Sequence, residues 1–234
     1  MQAFIVEDPR YRLSSKHLNA LNNVFDEVQV YSFDNKYEYI LNSCGNLRLR
    51  NVCADFSFYQ YIFQKHSGAV SVMNSTLFFK HPFKYILNKL VHCQFDAPSV
   101  YGVMRTYRNG LVVSPSRHYP FFLSSFFLSF NASASARIFP LLDKCINDVA
   151  HDNWSTESDR LRMFAYEHTH NPEYILSHHC ANSGSDIFKM QKYKSVVCEH
   201  LISEIILDEC VVQLANGTAR DNFFYKFNTK FHVF

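Results

Sequence analysis

The sequence predicts an α/β fold, a single domain with a mostly parallel central sheet flanked by helices. Three observations predict it. Short apolar runs closed by polar turn residues recur along the chain, as in Ala3-Phe4-Ile5-Val6 before Glu7-Asp8-Pro9. Segments of helical period stand between these runs, giving an order β-α-β, loop, α-β-α-β and then helices. The composition, 47% apolar against 19% charged over 234 residues, supplies a core for one large domain.

Ala3–Val6 reads as a buried strand. Ser14 or Ser15 caps a helix carrying Leu18, Leu21 and Phe25 at helical spacing. Val28–Phe33 alternates as a second strand and stops at Asp34-Asn35. Tyr39-Ile40-Leu41 leads into a polar loop, Asn42 to Arg48. From Asp55 the aromatics Phe56, Tyr59 and Phe63 share one helical face, which ends near Ser67-Gly68. Val70–Met73 is a further buried strand running into Asn74-Ser75-Thr76.

His81-Pro82 opens a helix with Phe83, Ile86, Leu87, Leu90 and Val91 on its apolar face, because proline suits the first helical turn. Val100–Met104 reads as a strand, and Leu111–Val113 as a candidate one. Phe121–Phe130 fits a strand or a buried helix, and periodicity does not choose between them. Ile138, Leu141, Leu142, Cys145 and Val149 mark a helix, and Thr156 starts another holding Leu161, Phe164 and Ala165. The last helix spans about Tyr193 to Asp208, with Val197, Leu201 and Ile205 on one stripe. Asn216-Gly217 is a turn signal, so Val211–Leu214 and the Phe-rich tail suggest a terminal hairpin.

Charge and cysteine content narrow the function. A net charge of +2 without a basic block gives no case for nucleic-acid binding. The seven cysteines lack a C-x-x-C pair, which argues against a disulfide framework or zinc ribbon and for buried thiols in a reducing compartment. His178-His179-Cys180 and Cys198-Glu199-His200 lack zinc-ligand spacing. The acidic N-terminal stretch is unlike a signal peptide, and no apolar run is long enough to span a membrane. A cytoplasmic protein is expected. G-x-S-x-G, G-x-x-x-x-G-K-S/T and G-x-G-x-x-G are absent, so serine-hydrolase, P-loop and dinucleotide-binding readings lack their usual support.

In open α/β sheets, ligands sit outside the carboxyl ends of the strands. Three polar clusters are expected at such positions and are expected to converge: Glu7-Asp8, Asn42 to Arg48, and Asn74-Ser75-Thr76. Each also has an ordinary reading, as a turn, a loop and a strand-end cap.

Val70-Ser71-Val72-Met73-Asn74-Ser75-Thr76-Leu77 resembles the strand-end "N-D-S" signature of glycosyltransferases that build bacterial surface polysaccharides, especially the rhamnan-synthesis protein F type. The chain also has segments similar to later elements of that family. These are Phe83–Val91, the Val100-Tyr101-Gly102-Val103 step, Leu123–Phe130, Ser133–Phe139 and Ala165-Tyr166-Glu167. Asn42 and Gly45 resemble the loop "N-x-G" of the family. The similarity spans roughly residues 3 to 180.

The resemblance implies a GT-A-like nucleotide-sugar-binding domain over residues 1–210, with 211–234 as a C-terminal hairpin or tail. It implies transfer of a sugar from a nucleotide-sugar donor to a glycan or lipid-linked glycan acceptor. Glu7 or Asp8 would accept ribose hydroxyls. Asn42, Gly45 and Arg48 would address base or diphosphate, since arginine matches phosphate oxygens. Asn74 and Ser75 would meet the donor at the strand end. Glu167 would be the general base, with Glu157 and Asp159 as alternatives. His118 and Ser125 would contact acceptor or phosphate. The enzyme could then sit at a membrane surface through its acceptor, and the aromatic tail could join two copies into a homo-oligomer.

The chain departs from the family at the strand end, where an aspartate usually holds the metal and Asn74-Ser75-Thr76 supplies only amide and hydroxyl groups. Mn²⁺ and Mg²⁺ prefer carboxylate oxygens. Three alternatives follow: a metal-independent mechanism using Arg48 or Arg105, a carboxylate such as Asp96 reaching in, or an inactive site. The last makes the domain a non-catalytic glycan- or protein-binding module.

Overall fold

The computed structural model describes residues 1–75, 97–106, 121–151, 153 and 186–216. These form an eight-stranded sheet with helices on both faces. The strands are β1 (Gln2–Glu7), β2 (Glu27–Phe33), β3 (Tyr39–Asn42), β4 (Arg48–Arg50), β5 (Val70–Asn74), β6 (Ser99–Thr106), β7 (Phe121–Phe130) and β8 (Val211–Asn216). The helices are α1 (Ser15–Asn22), α2 (Asp55–Lys65), α3 (Ala132–Ala150) and α4 (Asp186–Glu209).

The strand order is β4-β3-β2-β1-β5-β7-β6-β8. β1 pairs in parallel with β2 and β5, and β6 with β8. The pairs β2–β3, β3–β4, β5–β7 and β6–β7 are antiparallel. The sheet is therefore mixed, and this corrects the expectation of a mostly parallel one. The cause is local. Asn42 to Arg48 is the turn of a β3–β4 hairpin rather than a free loop, and β7 runs back between β5 and β6. Hairpins need only short turns, whereas every parallel step needs a crossover. β8 also belongs to this sheet, as the edge strand beside β6. The tail beyond 216 lies outside the described residues.

β1 shows why the centre is parallel. Ala3, Phe4, Ile5 and Val6 are all fully buried, so both faces of the strand are covered and the sequence reads as an unbroken apolar run. Phe4 and Val6 join the larger core with Val70 and Val72 of β5, against α2, α3 and α4. Ala3 and Ile5 join the opposite core with Met73, Leu21 of α1 and Phe25.

Ser14 caps α1 by accepting from the His17 N–H, satisfying one of the helix's orphan donors. α2 opens on Asp55 and closes on Lys65, charges that suit the two ends of its dipole. It buries Phe58 and Ile62 besides Phe56, Tyr59 and Phe63, because the sheet and α3 both press on it. Asn131 caps α3 with its Oδ1, which accepts from Ala134 N and from Ser99 N. Ile138, Phe139, Leu142, Ile146 and Val149 form the buried stripe of α3, while Leu141, expected there, is exposed. In α4 the buried apolar positions are Val197, Cys198, Ile202, Ile206 and Leu207, and Leu201 and Ile205 pack half-buried against the same core. That helix meets both α3 and β7, which widens its apolar face.

Phe121–Phe130 is a strand, and it is broken by a bulge. Gly102 pairs with Leu128 but Val103 pairs with Ser124, leaving Ser125, Phe126 and Phe127 without partners in β6. Gly102 sits where Leu123 and Leu128 close in; a Cβ there would lie 3.2 and 3.3 Å from their methyl carbons.

The expected helix over 83–91, the strand at 111–113, the helix from Thr156, Asp96, His118, Glu157, Asp159, Glu167 and His178-His179 lie outside the described residues.

Candidate functional site at the carboxyl edge of β1 and β5

After β1 the chain passes through α1 to β2 on one side. After β2, the β3–β4 hairpin and α2 it returns to β5 on the other side of β1. Connections that leave a strand pair in opposite directions open a crevice at the carboxyl ends, where α/β proteins hold ligands. Between β1 and β5 that crevice is bordered by Glu7, Asp8, Asn74 and Ser75. The structure thus brings together two of the three predicted clusters.

The two strand ends are stitched. Ser75 N–H donates to Val6 O at 3.0 Å, and Asp8 N–H donates to Ser75 Oγ at 3.0 Å. Asp8 then organises the turn that follows. Its Oδ1 accepts from Arg10 N–H at 2.9 Å, an Asx-turn, and from Arg10 Nε at 3.0 Å. Oδ2 accepts from Arg10 Nη2 at 2.7 Å, and the Tyr37 hydroxyl donates to Oδ1 at 3.1 Å. Burial pushes the Asp8 carboxyl up, but the Arg10 side chain and backbone and the Tyr37 hydroxyl together hold it below the usual aspartate value. Burial, then the Asp8 charge, pushes the Tyr37 hydroxyl up to about 12.

Glu7 is committed on the opposite face. Its Oε1 accepts from Leu13 N–H at 2.6 Å and its Oε2 from Ser32 Oγ at 3.2 Å. Glu7 therefore fixes the β1–α1 connection.

Asn74 faces the larger core, as Val70 and Val72 do, by strand alternation. Its Nδ2 donates to Asp55 Oδ2 at 2.8 Å. A buried carboxylate from the start of α2 thus stands at the strand end where Asn74 had left the site without one. One turn along α2, Tyr59 is fully buried, and its hydroxyl donates to Ser125 O at 2.6 Å. Ser125 N–H in turn donates to Glu199 Oε1 at 2.6 Å, and Ser124 Oγ donates to the same oxygen at 3.2 Å. The bulge of β7 is held open by these two side chains, which satisfy backbone groups that lost their ladder partners. Burial, then the charges of Asp55 and Glu199, pushes the Tyr59 hydroxyl well above its ordinary value. Asn74 with Asp55, and Tyr59 with Ser125 and Glu199, form two neighbouring polar groups where the carboxyl end of β5 meets the amino-terminal half of the antiparallel β7.

Asn42, Gly45 and Arg48 do not join it. Asn42 pairs with Tyr31 and Arg48 with Leu41, and the turn between them points back toward the amino ends of β1 and β2. Arg48 stands three strands from β1, roughly 14 Å at the usual spacing. These residues build the hairpin instead. Asn42 Oδ1 accepts from Leu47 N–H at 3.0 Å, and Gly45 N–H donates to Asn42 O at 3.0 Å. Gly45 has φ +71° with open space around it, so the left-handed backbone and not crowding calls for glycine. The Arg48 guanidinium lies 3.7 Å from the Tyr39 ring centre, a cation–π contact.

Sequence reasoning passed over Arg10, Tyr37, Asp55 and Glu199. Asp-x-Arg after a strand was the available signal for the first. Asp55 one turn before Tyr59, and Glu199 directly after the apolar Val196-Val197-Cys198, were the signals for two of the others. Among the described residues no group of three His, Cys, Asp or Glu side chains is arranged to hold a metal, and no helix is long and apolar enough to cross a membrane. No protein-family model, curated protein or solved structure matches the chain.

Proposed function

We propose that this chain is a glycosyltransferase of the GT-A type, moving a sugar from a nucleotide donor to a glycan or lipid-linked glycan acceptor. The observation that carries the reading is the topological reversal between β1 and β5, whose carboxyl ends bring Asp8, Ser75 and Asn74 together. The described part of the segment that resembles the strand-end signature, Val70–Ser75, ends at this same edge.

In this reading Asn74 and Asp55 act together. Asp55 Oδ2 receives the Asn74 amide, and its other oxygen accepts no hydrogen bond from a described residue. That donor set suits Mn²⁺ or Mg²⁺, which bind through one or two carboxylates and complete their shell with phosphate and water. When bound, such an ion would neutralise the departing diphosphate. Arg10, fixed on Asp8, supplies a cation at the same edge. The acceptor hydroxyl needs a carboxylate base. Glu167 holds that role by resemblance.

A second reading has support from one observation. Both oxygens of Glu7 and both of Asp8 already accept internal hydrogen bonds, as expected of a scaffold that recognises a glycan or a protein without catalysis.

Thermal unfolding with UDP-, GDP- and dTDP-sugars, with and without Mn²⁺, separates the two. A saturating donor raises Tm, since a ligand at a hundredfold excess over Kd adds about 2.7 kcal/mol. If every nucleotide-sugar leaves the melting curve in place, the transferase reading fails and the binding-module reading stands.

A further inference from the structure

A cavity of about 400 Å³ lies between the β3–β4 hairpin and the amino-terminal half of α4. Its wall includes Glu38, Tyr39, Arg50, Asn51, Gln191 and Lys194. In strand order β2 stands between it and β1, and Tyr37 reaches both places, with its carbonyl at the cavity and its hydroxyl on Asp8.

Asn51 is 4% exposed and sits in a closed set of amide bonds. Its Nδ2 donates to Tyr37 O at 2.8 Å and to Gln191 Oε1 at 3.1 Å. Gln191 Nε2 donates to Tyr37 O at 3.0 Å and to Asn51 O at 2.8 Å. Both hydrogens of each amide are used, so the orientation of both side chains is fixed. Asn51 Oδ1 is then left as a buried acceptor with no partner. Native proteins rarely leave such an atom unsatisfied unless something outside the chain meets it.

The charges around it are of a kind that binds ligands. Arg50 and Glu38 make no side-chain hydrogen bond or ion pair among the described residues. Lys194, 7% exposed, carries a third charge in the wall and donates from Nζ to Ala150 O at 2.6 Å. Tyr39 adds an aromatic side chain to the wall, with the Arg48 guanidinium 3.7 Å from its ring centre. Two cations call for an anion. A carboxylate and an amide oxygen call for hydroxyl donors. A ring face suits the C–H face of a pyranose or furanose.

We propose that this cavity binds a phosphorylated sugar, with Arg50 on the phosphate and Asn51 Oδ1 and Glu38 on ring hydroxyls. The phosphate can belong to a free sugar phosphate or to the sugar end of a nucleotide-sugar, and the inference does not depend on catalysis.

The test is calorimetric titration of the full chain with glucose 6-phosphate, mannose 6-phosphate, fructose 6-phosphate, ribose 5-phosphate and UDP-glucose. It is repeated on Arg50→Ala, whose site is exposed and whose melting curve should match wild type. At least one compound is expected to bind saturably and to bind tenfold or more weakly to Arg50→Ala. If free sugar phosphates bind and UDP-glucose does not, the cavity assignment stands while the transferase reading loses support. If UDP-glucose alone binds and Arg50→Ala weakens it, the cavity holds the sugar end of the donor. Absence of binding by all five, or binding that Arg50→Ala leaves unchanged, overturns the inference.

Discussion

The backbone N–H of Asp8 donates to the Ser75 hydroxyl at 3.0 Å, joining the ends of β1 and β5 across 67 positions of sequence. With the Asn74–Asp55 bond beside it, this sets two strand ends and the start of α2 in one frame. The candidate site depends on that frame more than on any single side chain.

Ser75→Ala should remove the acceptor of the Asp8 N–H while leaving the Ser75 N–H bond to Val6 in place. The expected loss is about 1 kcal/mol, a typical net value for one hydrogen bond. Ser75→Thr keeps a hydroxyl and should lose less. Denaturant melts of the two variants check this, and equal losses would show that the hydroxyl does not matter.

Glu199 tests the bulge of β7. Glu199→Gln retains an acceptor for Ser125 N–H and should keep most of the stability. Glu199→Ala leaves that N–H and the Ser124 hydroxyl without their acceptor, costing about 1–3 kcal/mol. Unfolding curves for the pair are the measurement; Gln and Ala variants of equal stability would refute the role.

The Asp8–Tyr37 pair predicts pH dependence at both ends. Tyr37 is held protonated in the fold up to about 12 against an ordinary value of 10.0. Its contribution is present below about pH 10 and is lost as pH rises toward 12, where the unfolded chain ionises first. Asp8 is held below its ordinary 3.8, so its contribution is present above that pH and is lost as acid protonates the folded carboxylate. Tyr37→Phe should flatten part of the alkaline limb, and Asp8→Asn part of the acid limb. Stability measured by urea at a series of pH values decides it.

Thiol labelling should separate the cysteines by burial. Cys44 is exposed, Cys53 and Cys198 are buried, and burial raises the Cys198 thiol well above its ordinary value. Brief treatment with N-ethylmaleimide followed by peptide mapping should find Cys44 modified and Cys53 and Cys198 protected until the chain unfolds. Early labelling at Cys53 or Cys198 would contradict the packing between α2 and α4.

Much of the fold was legible because its signals are local. Ala3–Val6 and Val70–Met73 read as buried strands since the chain is apolar on both faces there, and Ser14 announces α1 through its own hydroxyl. The hairpin was not legible. Asn42 to Arg48 has a loop's composition, and only pairing with Tyr31 and Leu41 shows where its turn points. The same limit applied to the site. Asp8, Asn74 and Ser75 could be placed at strand ends from sequence. Their partners Tyr37 and Asp55 are brought in by β2–β3 pairing and by the docking of α2, and nothing at their own positions says which strand end they reach. The α4 stripe was read too narrowly for a related reason: that helix packs on both α3 and β7, so Cys198, Ile202 and Ile206 are buried beside Val197.

The most direct measurement is amide hydrogen exchange of the full chain with and without the sugar nucleotides that raise its Tm, read at Val6–Arg10 and at Asn74-Ser75. The account predicts slower exchange in both segments together when the donor is bound. Exchange that is unchanged there for every nucleotide-sugar, or slowed only at segments away from the ends of β1 and β5, would contradict it.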